Sequence, residues 1–559
     1  MILAENKYEQ VMGENKMKEQ MKFNSLGVML DCSRNAVMKP ERVKEYIDIM
    51  ADLGYSRLML YTEDTYEIKG RPYFGHNRGR YSIEELKDLD EYGKARGIEL
   101  IPCIQTLAHV NAIFHWPEFD SIHDYDDILL AGEDETYALV EDMFASVNEA
   151  FSSKIVNIGM DEAHMLGRGK YQDLHGFENR FDILLRHLQK VSEIAKKYDY
   201  ELLMWGDMFF RILNAASGGG YYDTPADVPA EVKAMIPENV TLVYWDYYSV
   251  EQEHYEKNIR SHARIKDNIW FTGGLWCWSG FAPHNAYSMN AVKAAFAACE
   301  TQGVQDIILA LWGDNGGECS RFAMLPSLYY ASELAKGNED LTKIKQGFEE
   351  KYGYSFDEFC LLDMPLSSDK EKEPVGAEKY FLYNDCFMGL FDSIMQENYQ
   401  TIFADTAEKL SKHNQKADRD TRFDALFEAM EKLFRANAIK STLGLRTRAA
   451  YASSDKQVLA DLISAYDETV DAVREFYDAY EKLWMWENKP HGFDVQDVRL
   501  GGLITRIIHC RKRLQQYLDG EIDKIEELEE PLLDINCRND NKELVGYNNW
   551  DKTVTSNVL

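Results

Sequence analysis

The chain is poor in the features that mark many common functional classes. Its nine cysteines among 559 residues are an odd number, with no C-x-x-C pair, so they supply neither a disulfide framework nor a thiolate metal site. Cys32, Cys103 and Cys277 lie at or beside strand-like runs and read as reduced core thiols. Basic residues are in deficit, 62 against 95 acidic ones, and the formal net charge of -33 repels phosphate backbones and anionic lipid surfaces. Nucleic acid and membranes are therefore not expected partners. No run of 18 apolar residues occurs, and Met1 to Lys22 lack the apolar centre of a signal peptide, so a cytoplasmic location is expected if Met1 is the natural start. A glycine-rich phosphate loop is missing, as are HxH and HExxH spacings, and neither a cofactor nor a metal is expected.

What the chain has in abundance is aromatic surface, with 33 Tyr, 26 Phe and 10 Trp in a composition that is 45% hydrophobic. That suffices for a folded interior and leaves rings over as ligand platforms. The length exceeds one ordinary core and implies about two domains. Strand-like apolar runs begin near Leu26, Arg57, Ile98, Ile155, Glu201, Val240, Ile269 and Gln305, and helical periodicity usually follows each. After the first, Pro40 suits the opening turn of a helix, Val43, Tyr46, Ile47, Met50 and Leu53 form its apolar stripe, and Gly54 ends it. After the fourth, Phe181, Leu184, Leu185, Leu188, Val191 and Ile194 repeat the pattern.

Eight such units set the expected fold class as α/β, a (β/α)8 TIM barrel over residues 23–340 followed by an all-α C-terminal domain over 341–530. A doubly wound open sheet also alternates strand and helix, but eight units without a phosphate loop suit a closed barrel better. Residues 1–22 read as an N-terminal extension, 364–378 as a connecting loop, and 531–559 as a polar tail, either an arm or partly disordered. The insertions Thr62 to Ser82 and Thr106 to Glu135 should wall the mouth of the barrel. Helical stretches at Arg422 to Leu443, Lys456 to Leu483 and Val498 to Leu518 carry the second domain, a candidate dimer interface or a roof over the pocket.

In a barrel of this kind chemistry sits at the carboxyl ends of the strands. The first ends in Asp31-Cys32-Ser33-Arg34, the third in Gln105-Thr106-Leu107-Ala108-His109, and the fourth in Gly159-Met160-Asp161-Glu162. The fifth ends in Trp205-Gly206-Asp207, the sixth in Trp245-Asp246-Tyr247-Tyr248, the seventh in Trp276-Cys277-Trp278, and the eighth in Trp312-Gly313-Asp314. Five of the ten tryptophans thus fall at four successive strand ends. Indoles beside carboxylates form walls for the CH face of a pyranose, with polar groups for its hydroxyls, and so point to a sugar. Glycosidic cleavage usually employs two carboxyl groups that flank the bond. Asp161 and Glu162 are adjacent instead, an arrangement suited to substrate-assisted catalysis.

These motifs resemble glycoside hydrolase family 20, the β-N-acetylhexosaminidases, from the Arg34 strand through Gly79-Arg80-Tyr81-Ser82 and the Asp161-Glu162 pair to Trp312-Gly313-Asp314, over roughly the first 60% of the chain. The resemblance implies an exo-acting, retaining enzyme that releases terminal β-linked GlcNAc, with GalNAc left open, from small oligosaccharides or glycoconjugates. It implies Glu162 as general acid/base and Asp161 as the group that orients the 2-acetamido substituent, whose oxygen attacks the anomeric carbon to give an oxazolinium ion. It further implies Arg34 on the 3- and 4-hydroxyls, Trp205, Trp245 and Trp312 around the acetamido group and sugar face, Asp314 on outer hydroxyls, and His109 in support of the acid.

The pattern departs from the family in two places. The usual His-x-Gly-Gly-Asp-Glu appears here as Asn157-Ile158-Gly159-Met160-Asp161-Glu162, and the seventh-strand Tyr-Leu-Asp is absent. Tyr247 or Tyr248 is then the candidate for the acetamido carbonyl, and Trp276 joins the substrate-binding set. The small α/β domain common before the barrel has no room ahead of Leu26, which implies a compact subgroup. Competing readings are an acidic helix N-cap at Asp161-Glu162, helix-capping roles for Asp207, Asp314 and Glu318, a metal site at His109, Asp161, Glu162 and His164, a non-catalytic sugar-binding barrel, and a glycosidase with a conventional carboxylate nucleophile.

Overall fold

The computed structural model describes residues 21–212, 230–366, 374–416, 421–537 and 543–559. Most of the expected N-terminal extension, and residues 367–373 of the expected connecting loop, lie outside them. Eight parallel strands close into a barrel: β1 (Ser25–Asp31), β2 (Arg57–Glu63), β3 (Glu99–Ile104), β4 (Ile155–Asn157), β5 (Glu201–Trp205), β6 (Val240–Trp245), β7 (Trp270–Gly274) and β8 (Asp306–Leu311). Each starts within one residue of its expected position. Closure runs through β1, which pairs with β8 from Ser25↔Asp306 to Leu30↔Leu311 and with β2 from Gly27↔Arg57 to Asp31↔Tyr61. Parallel strands covered on both faces must be apolar nearly throughout, and β1 is buried along its whole length.

The first helix spans Pro40–Leu53, buries Val43, Tyr46, Ile47, Met50 and Leu53, and ends at Gly54 in the left-handed conformation. At the amino-terminal rim, Arg57 pairs with Glu99 at 3.1 Å and Asp306 at 2.7 Å and stacks over Trp270. This rim lies opposite the functional end, and its contacts serve closure. The insertion after β3 folds into a small antiparallel hairpin, His123–Tyr125 with Ile128–Leu129. Asp124 of that hairpin accepts from the Gly167 and Tyr171 amides and so ties the β3 and β4 insertions together.

Beyond the last barrel helix, Leu325–Ala335, the chain is helical, with Tyr399–Asn414, Asp424–Lys440, Lys456–Glu487 and Phe493–Asp519 as the long elements. This domain packs on the loops after β7 and β8. Phe281 meets Phe476 and Tyr480 at 5.3 Å each, and Tyr480 donates to the Glu318 carbonyl. The described part of the tail ends in a short helix, Trp550–Val554, whose Trp550 amide donates to Asn315. Among the described residues, no helix is long and apolar enough to cross a membrane.

Candidate active site

The strand ends that carry carboxylates converge on one pocket, lined by Arg34, His109, Asp161, Glu162, Trp205, Trp245, Tyr247, Tyr248, Trp312 and Asp314. Nine of the ten side chains singled out in the sequence are brought together there.

The acidic pair is presented by a turn that only a few residues can make. Asn157 accepts from the Gly159 amide at 2.9 Å, and Gly159 turns with φ 70°. A Cβ at Gly159 would lie 1.9 Å from Gln105 Oε1, so the position excludes any side chain. Met160 and Glu162 also hold positive φ, 68° and 53°, which is costly for residues with a Cβ and must be sustained by neighbours. Gln105 accepts from the Met160 amide at 3.2 Å and Asp207 accepts from the Glu162 amide at 3.0 Å. The pair is thus no helix cap: the next helix begins only at Lys170. Asp207 opens the short helix Asp207–Arg211, yet its carboxylate takes the Glu162 amide and Trp245 Nε1 at 3.3 Å rather than its own helix. Glu318 likewise pairs with Lys379 and Arg499 of the helical domain.

His109 joins the two carboxylates. Its Nε2 lies 3.3 Å from Asp161 Oδ2 and 3.6 Å from Glu162 Oε2, while Nδ1 lies 3.6 Å from Asp127, whose carboxylate also accepts from the His109 amide. Burial works against a charged imidazole, but the Asp161 carboxylate and its hydrogen bond prevail and hold His109 at about 9. Burial would also raise Asp161; the facing His109 charge, with hydrogen bonds from His109 and from Gln105 Nε2 at 2.8 Å, keeps it below the usual carboxylate range. Asp207 is pushed up to about 7 by burial and by the negative charge of Asp161. Two neighbouring carboxylic acids, Asp161 and Asp207, therefore hold opposite protonation preferences, the pattern expected of acid/base machinery.

The opposite wall comes from β1, β2 and β8. Asp31 accepts from the Ser33 amide and hydroxyl and, across the barrel seam, from the Gly313 amide at 2.8 Å. Arg34 is fixed by Glu63 Oε1, at 3.0 Å from Nε and 2.9 Å from Nη2, leaving Nη1 4.0 Å from Asp314. Tyr61 donates to the same Glu63 oxygen, and Gln105 Nε2 reaches both Tyr61 and Asp161, so one hydrogen-bonded chain runs from Arg34 to Asp161. Asp314 rises to about 6 through desolvation against the pull of Arg34.

Trp205 and Trp312 lie 6.1 Å apart at a tilt of 54°, Trp312 meets Tyr61 edge-on at 4.8 Å, and Trp245 stacks with Tyr247 at 5.6 Å. The buried indole N–H groups of Trp205 and Trp312 have no acceptor among the described residues. Trp276 stands beside the lining set rather than in it: it stacks on Trp278 at 4.2 Å and donates Nε1 to the Tyr247 carbonyl, bracing that wall. The Tyr247 phenol is buried and held well above its usual range by that burial and by Tyr248, Asp314, Glu162 and Asp161. Among the described residues no cluster of three or more His, Cys, Asp or Glu is arranged to hold a metal ion.

Sequence reasoning gave no site role to Glu63, Gln105 or Asp127, and read Asp207 as a candidate helix cap. The strand-end rule, applied to the second strand as to the others, reaches Glu63 directly. Asp127 carries no such signal, since it sits in the hairpin turn of an insertion.

A parallel barrel whose carboxyl rim gathers paired acids, an anchored arginine and a wall of indoles defines a glycosidase-type site. The chain belongs to glycoside hydrolase family 20: the family's catalytic-domain model matches residues 23–302, and the Glycoside Hydrolase 20C C-terminal domain model matches residues 357–546. Hexosaminidase D of Bos taurus is 23% identical over 257 residues, covering 44% of this chain and 68% of that protein. Hexosaminidase D of Homo sapiens is 26% identical over 223 residues, covering 38% and 43%, so the chain spans under half of that relative's length. A solved β-N-acetylhexosaminidase from Bacteroides fragilis aligns with 20% identity and a TM-score of 0.43, over 60% of this chain and 72% of that one.

Proposed function

We propose that this chain is an exo-acting, retaining β-N-acetylhexosaminidase that uses the 2-acetamido group of its substrate as nucleophile. The observation that carries the reading is the placement of Asp161 and Glu162 side by side on His109, while the third lining carboxylate, Asp314, faces Arg34. Two adjacent acids on one imidazole are poorly placed to flank a glycosidic bond as independent acid and nucleophile. They are well placed to divide labour at one face of it.

In this reading a terminal N-acetylhexosamine enters with its hydroxyl edge toward Arg34 and Asp314 and its acetamido group between Trp205, Trp245 and Trp312. Asp161, kept ionised by His109 and Gln105, accepts from the acetamido N–H and turns the carbonyl oxygen toward the anomeric carbon. Tyr247 is the donor assigned to that carbonyl, because it is buried and electrostatically close to both acids, whereas Tyr248 is largely exposed. Glu162 gives its proton to the leaving oxygen as the C–O bond breaks and the carbonyl oxygen bonds to the anomeric carbon. The resulting oxazolinium ion is opened by water, whose proton returns to Glu162, and the second inversion restores the β configuration. The imidazolium of His109 lies against both acids and stabilises the standing charge of Asp161 and the charge Glu162 gains when it gives up its proton.

A panel of aryl β-glycosides with and without the 2-acetamido group, spanning good and poor leaving groups in the gluco and galacto series, tests the reading. Only the 2-acetamido compounds should turn over efficiently, and a thiazoline mimic of the cyclic intermediate should inhibit competitively. Glu162→Gln should abolish turnover of poor leaving groups while sugar binding persists. Efficient hydrolysis of plain glucosides, with no inhibition by the thiazoline, would establish a carboxylate nucleophile instead.

A further inference from the structure

We propose that the helical C-terminal domain is a working part of the sugar site, because Lys379 and Arg499 are positioning residues that hold the Asp314 turn against Arg34. The inference rests on the reading above, in which Asp314 contacts the sugar.

The turn after β8, Gly313 to Glu318, has little stability of its own. Asp314 has a positive φ of 21°, and Gly316 and Gly317 follow at 116° and 64°. The Gly313 amide anchors it to Asp31 of the barrel, and a Gly317 amide bond back to the Gly313 carbonyl closes it on itself. The remaining hold comes from the other domain. Glu318 is buried and forms ion pairs with Lys379 at 2.6 Å and Arg499 at 2.7 Å. Arg499 also donates to the Asn315 carbonyl at 2.9 Å, Lys379 reaches the carbonyl and side chain of Asn315 at 3.3 Å each, and the Trp550 amide donates to Asn315 Oδ1 at 3.0 Å. Arg499 lies under the Trp550 ring, so the tail closes over the clamp. Asn315 and Glu318, which follow Asp314, are thereby fixed by groups from three separate segments beyond the barrel.

Burying three charges in this way is rarely a gain in stability, since the cost of desolvation offsets most of the attraction. What such a cluster supplies is a fixed geometry. Gly316 is closed in as well: a Cβ there would lie 2.7 Å from Arg499 Nη1. The clamp sets where Asp314 stands relative to Arg34, 4.0 Å away, and with it the recognition of the sugar's outer hydroxyls.

The test is a double-mutant cycle on the full chain with an aryl N-acetylglucosaminide. Asp314→Ala alone should raise KM. Arg499→Met should raise KM at least about tenfold with kcat changed less than about threefold, Arg499→Lys should recover part of the loss, and Asn315→Ala should reproduce it more weakly with the ion cluster intact. In the Asp314→Ala background, Arg499→Met should cost nothing further, because its effect passes through Asp314. Multiplicative losses in that background, or a fall in kcat with KM unchanged, would make the cluster merely structural and overturn the proposal. Asp314→Ala with an unchanged KM would refute the reading beneath it, a different result from failure of the clamp. Should Arg499→Met not fold, Asn315→Ala in the same cycle decides between these outcomes.

Discussion

Replacing Asp161 with Asn removes one charge and little volume, and the structure specifies what that charge does. Asp161 is the nearest carboxylate to His109 and the main force holding that imidazole at about 9, well above its ordinary 6.5. At about 1.4 kcal/mol per pH unit, that preference for the imidazolium is worth on the order of 3 kcal/mol. Without it, burial and the Arg34 charge lower the imidazole against the weaker pull of Glu63, and the His109 titration should fall to its ordinary 6.5 or below. On the proposed mechanism the same substitution deprives the acetamido group of its anionic acceptor, so kcat/KM should drop by about 10² to 10³, the usual loss for one preorganised electrostatic partner. Isotope-edited NMR of the imidazole carbons, with His109→Gln for assignment, reads the first effect, and steady-state kinetics reads the second. The sign of the stability change follows as well. A histidine whose folded pKa is raised adds stability that is fully present below pH 6.5 and is lost as pH rises through about 9. Wild type should therefore weaken across that window more than the variant does. If Asp161→Asn kept the His109 titration near 9, or kept kcat/KM within threefold of wild type, the paired-charge account of this site would be wrong.

Arg34→Lys keeps the charge but cannot hold Glu63 through two nitrogens, so KM for the N-acetylglucosaminide should rise about ten- to a hundredfold with a smaller change in kcat; an unchanged KM would remove Arg34 from sugar recognition. Gly159→Ala would drive a methyl into Gln105 at a positive φ, at a cost of at least about 1 to 2 kcal/mol. Thermal denaturation should show that loss, and kcat should fall with it because Gln105 is the link to Asp161; normal kcat in a destabilised protein would separate the turn from the chemistry.

The parts of this molecule that were legible in the chain are those set by local rules. Parallel strands buried on both faces must be nearly continuous apolar runs, so Val28, Leu58, Leu100, Leu202, Leu242 and Ile308 announced themselves, and Pro40 and Gly54 bracketed their helix through backbone conformation alone. Asp161 and Glu162 were legible for a related reason, since a carboxylate directly after such a run has to emerge at the rim. What was hidden is what depends on closure. Gln105 stands in sequence as an unremarkable polar residue after β3, yet its amide serves the Met160 amide, Tyr61 and Asp161 at once, a task that exists only when β2, β3 and β4 lie side by side. Asp207 read as a helix cap because its neighbours form a helix; its carboxylate is spent on the Glu162 amide and the Trp245 indole, each from an adjacent strand. For Trp276 the strand-end position suggested a lining role, while stacking on Trp278 turns its polar edge to the Tyr247 backbone. A strand end thus tells which residues can reach the pocket, and the competition among neighbouring donors and rings decides which of them do. For Asp314 that competition is settled by Lys379 and Arg499, more than sixty residues further along the chain, and this is why the C-terminal domain belongs in an account of the site.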